Sequence, residues 1–121
     1  MTFDNSEIII YQADDGQTKI DVRMEEETVW LSQAQMAELF QTTKQNVSLH
    51  INNAFAEGEL EPSATVKEYL TVQNEGGRGV SRNIKYYNLD VIISVGYRVK
   101  SLRGTQFRRW ALEVKILDDL P

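Results

Sequence analysis

Trp30 to Phe55, WLSQAQMAELFQTTKQNVSLHINNAF, decides how the rest of the chain is read. The stretch divides into two short helices around a tight turn. Ser32 stands just before the first helix, and Gln35 follows at capping-box spacing: the hydroxyl accepts from the third-residue amide while the Gln side chain accepts from the cap amide. Met36, Leu39 and Phe40 make one apolar stripe, with the small Ala37 next to Met36. Gln41-Thr42 makes the turn. Many turns of this kind carry Gly there, because the position often needs a positive φ, so a longer or differently shaped turn is one expectation at Gln41. Thr42 or Thr43 caps the second helix, which runs to about Glu57, with Gly58 free to close it in the left-handed conformation.

Placing the second helix at about 100° per residue separates its faces. Val47, Ile51, Ala54 and Phe55 fall together and belong to a core. Lys44, Gln45, Ser48, Leu49 and Asn52, with Thr43 before them, spread over the remaining surface. Two helices in this relation fit a helix-turn-helix, in which one helix braces a second that enters the DNA major groove. Gln and Asn are the side chains that pair bidentately with adenine, an exposed Leu can touch a thymine methyl, and Lys44 suits a phosphate or a guanine. The competing reading of an Asn, Gln and Ser face is plain solvent exposure; Leu49 on that polar face weighs against it.

The flanking sequence supplies strands. Glu7 to Gln12 is β-branched, Asp14-Asp15-Gly16 is a hairpin turn signal, and Lys19 to Met24 alternates apolar and polar. Glu25-Glu26-Glu27 reads as a solvated loop or edge, and Thr28 to Leu31 as a short third strand. Ala64 to Gln73 and Val80 to Tyr87 are β-prone runs around the Gly-rich Asn74–Gly79 tip, a second hairpin. A hairpin after a helix-turn-helix is the wing of a winged helix. Asn88 then caps an almost wholly apolar helix, Leu89 to Tyr97. Lys100 to Gly104 reads as a basic loop, and Thr105 as the start of a last helix, Gln106 to Leu117, with Phe107, Trp110, Ala111 and Val114 inward. The expected fold is therefore α+β: a winged helix-turn-helix over 28–88, an N-terminal β-hairpin over 1–27 packed on it, and C-terminal helices of the same domain over 89–121. The closing Asp118-Asp119-Leu120-Pro121 looks like a boundary inside a longer protein.

Composition narrows the function. At 121 residues and 41% apolar content, the chain suits one domain with a real core. It has no cysteine and one histidine, which leaves disulfides out and makes a zinc site a poor expectation. No apolar run approaches the length of a membrane span, the first residues lack a signal-peptide pattern, and the expected compartment is the cytoplasm. The formal net charge is −5, yet the charge is unevenly placed. Residues 1–43 carry two basic and nine acidic side chains, whereas residues 78–115 carry nine basic and two acidic ones. Such asymmetry points to a polyanion-facing side on an acidic body. Arg78, Arg82 and Lys85 on the wing, and Arg98, Lys100, Arg103, Arg108 and Arg109 after it, are the expected DNA-backbone contacts. The alternative for the second group is pairing with the acidic N-terminal region.

Catalytic signals are thin. The glycines match neither G-x-x-x-x-G-K-[ST] nor a helix-opening G-x-G-x-x-G. His50 flanks the core face of its helix, Tyr86, Tyr87 and Tyr97 lack a marked cationic cradle, and Glu25–Glu27 lacks the spaced partners of a two-metal site. The expectation is a protein that is not an enzyme, with no cofactor, metal or small-molecule substrate, whose partner is double-stranded DNA and which self-associates as a homodimer to read two half-sites. The runner-up is a winged-helix module for protein–protein interaction or dimerisation, favoured by the acidic total.

From Thr28 through Ala111, about seven-tenths of the chain, the sequence resembles the RhuM family of bacterial virulence proteins. The resemblance is carried most strongly by YYNLDVIISVGYRVKSLRGTQFRRWA, Tyr86 to Ala111, and also by EGELEPSATVKEYLTVQNEGGRGVSRNIKYY and the two-helix segment. Similar signatures occur in phage antirepressor N-terminal domains and in modules joined to Fic-type domains. The resemblance implies an N-terminal DNA-binding module from mobile or pathogenicity-associated DNA, with a role in transcription regulation and a further region beyond it; it supplies no catalytic residue.

Overall fold

The computed structural model describes residues 7–118. Strand β1 (Glu7–Gln12) pairs antiparallel with β2 (Lys19–Glu25) from Glu7↔Met24 to Gln12↔Lys19. The hairpin between them closes where the Asp15 carboxylate accepts from the backbone amides of Gln17 and Thr18, both at 2.8 Å. Glu26 and Glu27, both at positive φ, turn the chain into β3 (Thr28–Ser32).

Ser32 ends β3 and caps α1 (Gln33–Phe40), with both capping-box hydrogen bonds present. Gln41 takes the left-handed conformation that glycine usually supplies, at φ 55° and ψ 49°. The turn is therefore tight after all. Its strain is offset by the Gln41 side chain, which donates to the Glu38 carbonyl at 2.7 Å, and by the Thr42 amide, which donates to Ala37 at 2.9 Å. Thr43, not Thr42, caps α2 (Lys44–Ala56).

A one-turn helix, α3 (Pro62–Thr65), leads into β4 (Val66–Glu75), which pairs with β5 (Arg78–Asn88) along its whole length. This helix lies where the sequence reading began a strand; Pro62 at its first turn presets φ and needs no amide partner. Gly76 and Gly77, both at positive φ, make a two-residue turn in place of the longer expected tip. Asn88 caps α4 (Leu89–Arg98) through its side chain, as the sequence implies.

The last helix, α5 (Leu102–Asp118), begins a full turn before the expected Thr105. Lys100–Gly104 is therefore mostly helix rather than a basic loop. The Ser101 hydroxyl accepts from the Arg103 amide at the helix start, and Gly104 is there for helix packing rather than as a breaker. Of the terminal boundary read at Asp118–Pro121, the last three residues lie outside the described part.

The fold is α+β, with one five-stranded antiparallel sheet in the order β1-β2-β3-β5-β4. Alternation along the strands sends Ile20, Val22, Met24, Val29, Leu31 and Tyr87 to one face, where they meet Met36, Leu39, Val47, Ile51, Val91, Val95 and Phe107 from the helices. Tyr11 pins β1 to α5 by edge contacts with Phe107 and Trp110 at 5.1 and 5.0 Å between ring centroids. On the other face Trp30, Tyr69 and Tyr86 form a small cluster of their own. Arg23 lies over the rings of Tyr69 and Tyr86, and Lys67 over Trp30, so cationic side chains act as the lid. Glu25, expected to be solvated, instead accepts from the Tyr69 hydroxyl and pairs with Lys67.

Candidate nucleic-acid interface

The core face of α2 is occupied as the periodicity predicts: Val47, Ile51 and Ala54 are buried, and Phe55 packs against them half-buried. That fixes the rotation of the helix. Thr43, Lys44, Gln45, Leu49 and Asn52 are exposed and Ser48 is half-exposed, on the surface left over. Leu49 is 54% exposed, a large apolar side chain held in solvent beside amide and hydroxyl groups. Thr43 is not free to act alone, since its hydroxyl accepts from the Asn46 amide as the helix cap.

The β4–β5 ribbon runs well past the rest of the sheet, because β3 reaches β5 only at Tyr86, Tyr87 and Asn88. Between the ribbon and the starts of α1 and α2 lies a cleft of about 330 Å³. Lys44, Arg82 and Lys85 line it together with Gln33 and Asn83. The cleft thus brings one residue of the base-reading set beside two of the backbone-contact set. Gln33 and Asn83 were not singled out from the sequence. Gln33 donates to the Tyr87 hydroxyl at 3.0 Å, a contact between positions far apart in the chain that no local pattern marks.

The eight basic residues assigned to DNA backbone do not behave as one set. Three are held by carboxylates inside the fold. Arg82 is bidentate to Glu75, at 2.6 and 2.8 Å, across the ribbon. Arg98 reaches Glu57 at 2.5 Å and Glu59 at 3.0 Å, tying α4 to the end of α2. Arg103 donates to Asp15 at 2.7 Å and sits within 3.4 Å of the Leu39 carbonyl, joining α5, the β1–β2 turn and the end of α1. Part of the positive charge is therefore neutralised within the fold, but among the described residues only Arg103 of the Arg98–Arg109 group reaches the acidic N-terminal region, at Asp15, as the alternative sequence reading expects.

The carboxylates register this. Hydrogen bonds from the Thr18 amide, from Arg103 and from the Gln17 amide hold Asp15 well below the usual carboxylate range. Arg82 lowers Glu75, and Arg98 followed by Ser94 lowers Glu59. Arg78, Lys85, Lys100, Arg108 and Arg109, and Lys44 on α2, make no ion pair among the described residues. Lys100 and Arg108 lie apart from the α2–ribbon cleft and line a different cavity, between α4 and α5.

His50 is half-buried on the flank of α2, and no group of three or more potential metal ligands occurs among the described residues. No helix among them is long and apolar enough to cross a membrane.

No curated protein and no solved structure matches this chain. A family model does match, over a segment that holds the ribbon, α4 and α5 and leaves out α1 and α2. Residues 64–118 match the model of the virulence protein RhuM family, so this segment of the chain is similar to that family.

Proposed function

We propose that this chain is a double-stranded DNA-binding module of the winged helix-turn-helix kind. In this reading α1 braces α2, α2 enters the major groove, and the β4–β5 ribbon is the wing. The observation that carries it is the exposed face of α2. Gln45, Ser48, Leu49 and Asn52 stand clear of the core, and Lys44 opens onto a cleft shared with Lys85 of the ribbon. Amide side chains with an exposed leucine between them match the donors, acceptors and methyl groups of base edges.

Phosphate contact falls to the cations that the fold leaves unpaired. Arg78 and Lys85 on the ribbon and Lys44 at the start of α2 are placed for it, with Arg108 and Arg109 on α5 as further candidates. Arg82, Arg98 and Arg103 would have to leave their carboxylates first. The negative total does not oppose this, since several of the carboxylates are matched within the fold and local potential governs approach to a polyanion. Binding at a promoter would make the module a regulator of transcription acting in the cytoplasm.

Selecting bound duplexes from a random pool, with affinity measured against salt, tests the proposal. The logarithm of the binding constant should fall by about 0.9 per contacted phosphate for each log unit of salt. Gln45→Ala or Asn52→Ala should alter the enriched sequence, at about 1–3 kcal/mol per lost bidentate pair. Arg78→Ala or Lys85→Ala should weaken all sequences alike. Absence of binding to every duplex at low salt overturns the reading.

A further inference from the structure

The α4 surface carries a pattern that DNA binding does not use. Asp90, Ile93 and Tyr97 follow one another at helical spacing, Lys100 stands at positive φ in the turn just past the end of α4, and Ile93 and Tyr97 line two adjoining concavities, one with Asp90 and one with Lys100. Tyr97 is 85% exposed and Leu102, beside it at the start of α5, is 81% exposed. With the half-buried Ile93 they line one concavity, a contiguous apolar patch of the kind that marks a contact surface. Asp90 and Lys100 make no ion pair among the described residues, in contrast to Arg98 between them.

The stripe is therefore acidic at the start of α4, apolar along it and basic in the turn that follows it. Positions 90 and 100, and positions 93 and 97, are symmetric about residue 95. Laid antiparallel on a second copy, the stripe meets itself with every charge opposed by its opposite. An isologous two-fold contact has this property, with residue i meeting j and j meeting i.

We propose that α4 is the dimer interface of this protein. A second copy packs antiparallel across it, Asp90 against the partner's Lys100 and Ile93 against the partner's Tyr97. The concavity of about 480 Å³ between α4 and α5, floored by Gly96 and Gly104, receives the partner's Tyr97 ring. The apolar centre supplies the affinity and the two charge pairs fix the direction, because exposed ion pairs contribute little energy but penalise a wrong register. Lys100 thereby leaves the DNA-contact set.

Sedimentation velocity of the 121-residue chain over a wide concentration range tests this. The unaltered chain should pass from monomer to dimer as concentration rises. Tyr97→Ser should abolish the dimer, with an unchanged melting temperature at concentrations where the unaltered chain is monomeric, since the side chain touches little of its own fold. Asp90→Lys and Lys100→Asp should each weaken self-association by about tenfold or more, because each juxtaposes like charges twice in the homodimer. Asp suits position 100, whose φ is +56°.

Mixed in equal amounts, the two singly substituted chains should form a heterodimer in which both pairs are restored. A monomer at every concentration, a dimer indifferent to Tyr97→Ser, or a mixture that fails to associate would each overturn the inference. The contact is independent of the DNA reading: monomeric Tyr97→Ser should keep the affinity of the unaltered chain for a single half-site, and loss of DNA binding by all chains would leave the interface standing.

Discussion

The α4–α5 corner and the β4–β5 ribbon are built on opposite terms. At the corner the two helices approach so closely that side chains are dispensed with. A Cβ added at Gly96 would lie 3.1 Å from the Phe40 ring and 3.2 Å from the Gly104 Cα. Val95 and Phe107 beside it are fully buried. Past Tyr69 and Ile84 the ribbon is largely exposed. Leu70 and Val72 are 68% and 70% exposed, and its strands are held by their own ladder and the Glu75–Arg82 pair. The comparison teaches a division of labour: packing at the corner supplies stability, and the ribbon is left free to meet something else.

The largest test of that contrast is Gly96→Val. Its branched side chain has to displace an aromatic ring and a neighbouring backbone at once, so global stability should fall by about 3 kcal/mol in urea unfolding. A loss no larger than that of an exposed helix position would mean that the corner is looser than its geometry implies.

Gly77→Ala is the matching change on the ribbon. Nothing lies within 4 Å of the added Cβ, so only the backbone at φ 81° resists it. The expected cost is about 1 kcal/mol, confined to the ribbon. Hydrogen exchange should show faster opening of the β4–β5 amides, with α4 and α5 amides unchanged.

Acid separates the ion pairs of the two regions. Asp15, bonded to Arg103 near the corner, and Glu75, bonded to Arg82 on the ribbon, both ionise more readily in the folded chain than in the unfolded one. Such groups stabilise the fold at pH values above the ordinary carboxylate range of about 4, and that contribution is lost as pH falls through the lower folded values. Asp15 is depressed by two backbone amides as well as by a guanidinium, whereas Glu75 has Arg82 alone. Asp15→Asn should therefore flatten the acid limb of a stability–pH profile, and Glu75→Gln should barely change it.

The smallest effect is expected for Leu70→Ser and Val72→Ser. Both side chains are already in water, and each change should stay within about 0.5 kcal/mol in the isolated protein. A larger loss would show that the ribbon is covered in solution.

Much of the local structure was legible in the residues. Ser32 with Gln35, the Thr42-Thr43 pair and Asn88 each announced a helix start, because a cap is a short-range hydrogen bond between neighbours in sequence. The faces of α2 followed from periodicity alone. The start of α5 was misread because Gly104 looks like a breaker, and only the approach of Gly96 gives it a packing role. The short α3 escaped because one turn is too brief to establish a period.

The basic residues were legible as charges but not as roles. Arg98 and Arg103 find carboxylates 39 to 41 and 88 residues away in sequence, and Arg82 finds Glu75 across a turn whose register the sequence left open. Glu25 looked like part of a solvated acidic run until the sheet brought Lys67 and Tyr69 to it.

By itself, then, the sequence determined where α1, α2 and α4 begin, which strands alternate and which side of α2 is buried, since each depends on residues a few positions apart. Only the tertiary structure decided which cations remain unpaired among the described residues and that Gln41 adopts the tight turn without glycine. Those outcomes depend on which distant groups the packed sheet and helices bring within a few ångströms, where steric exclusion and hydrogen-bonded ion pairing act.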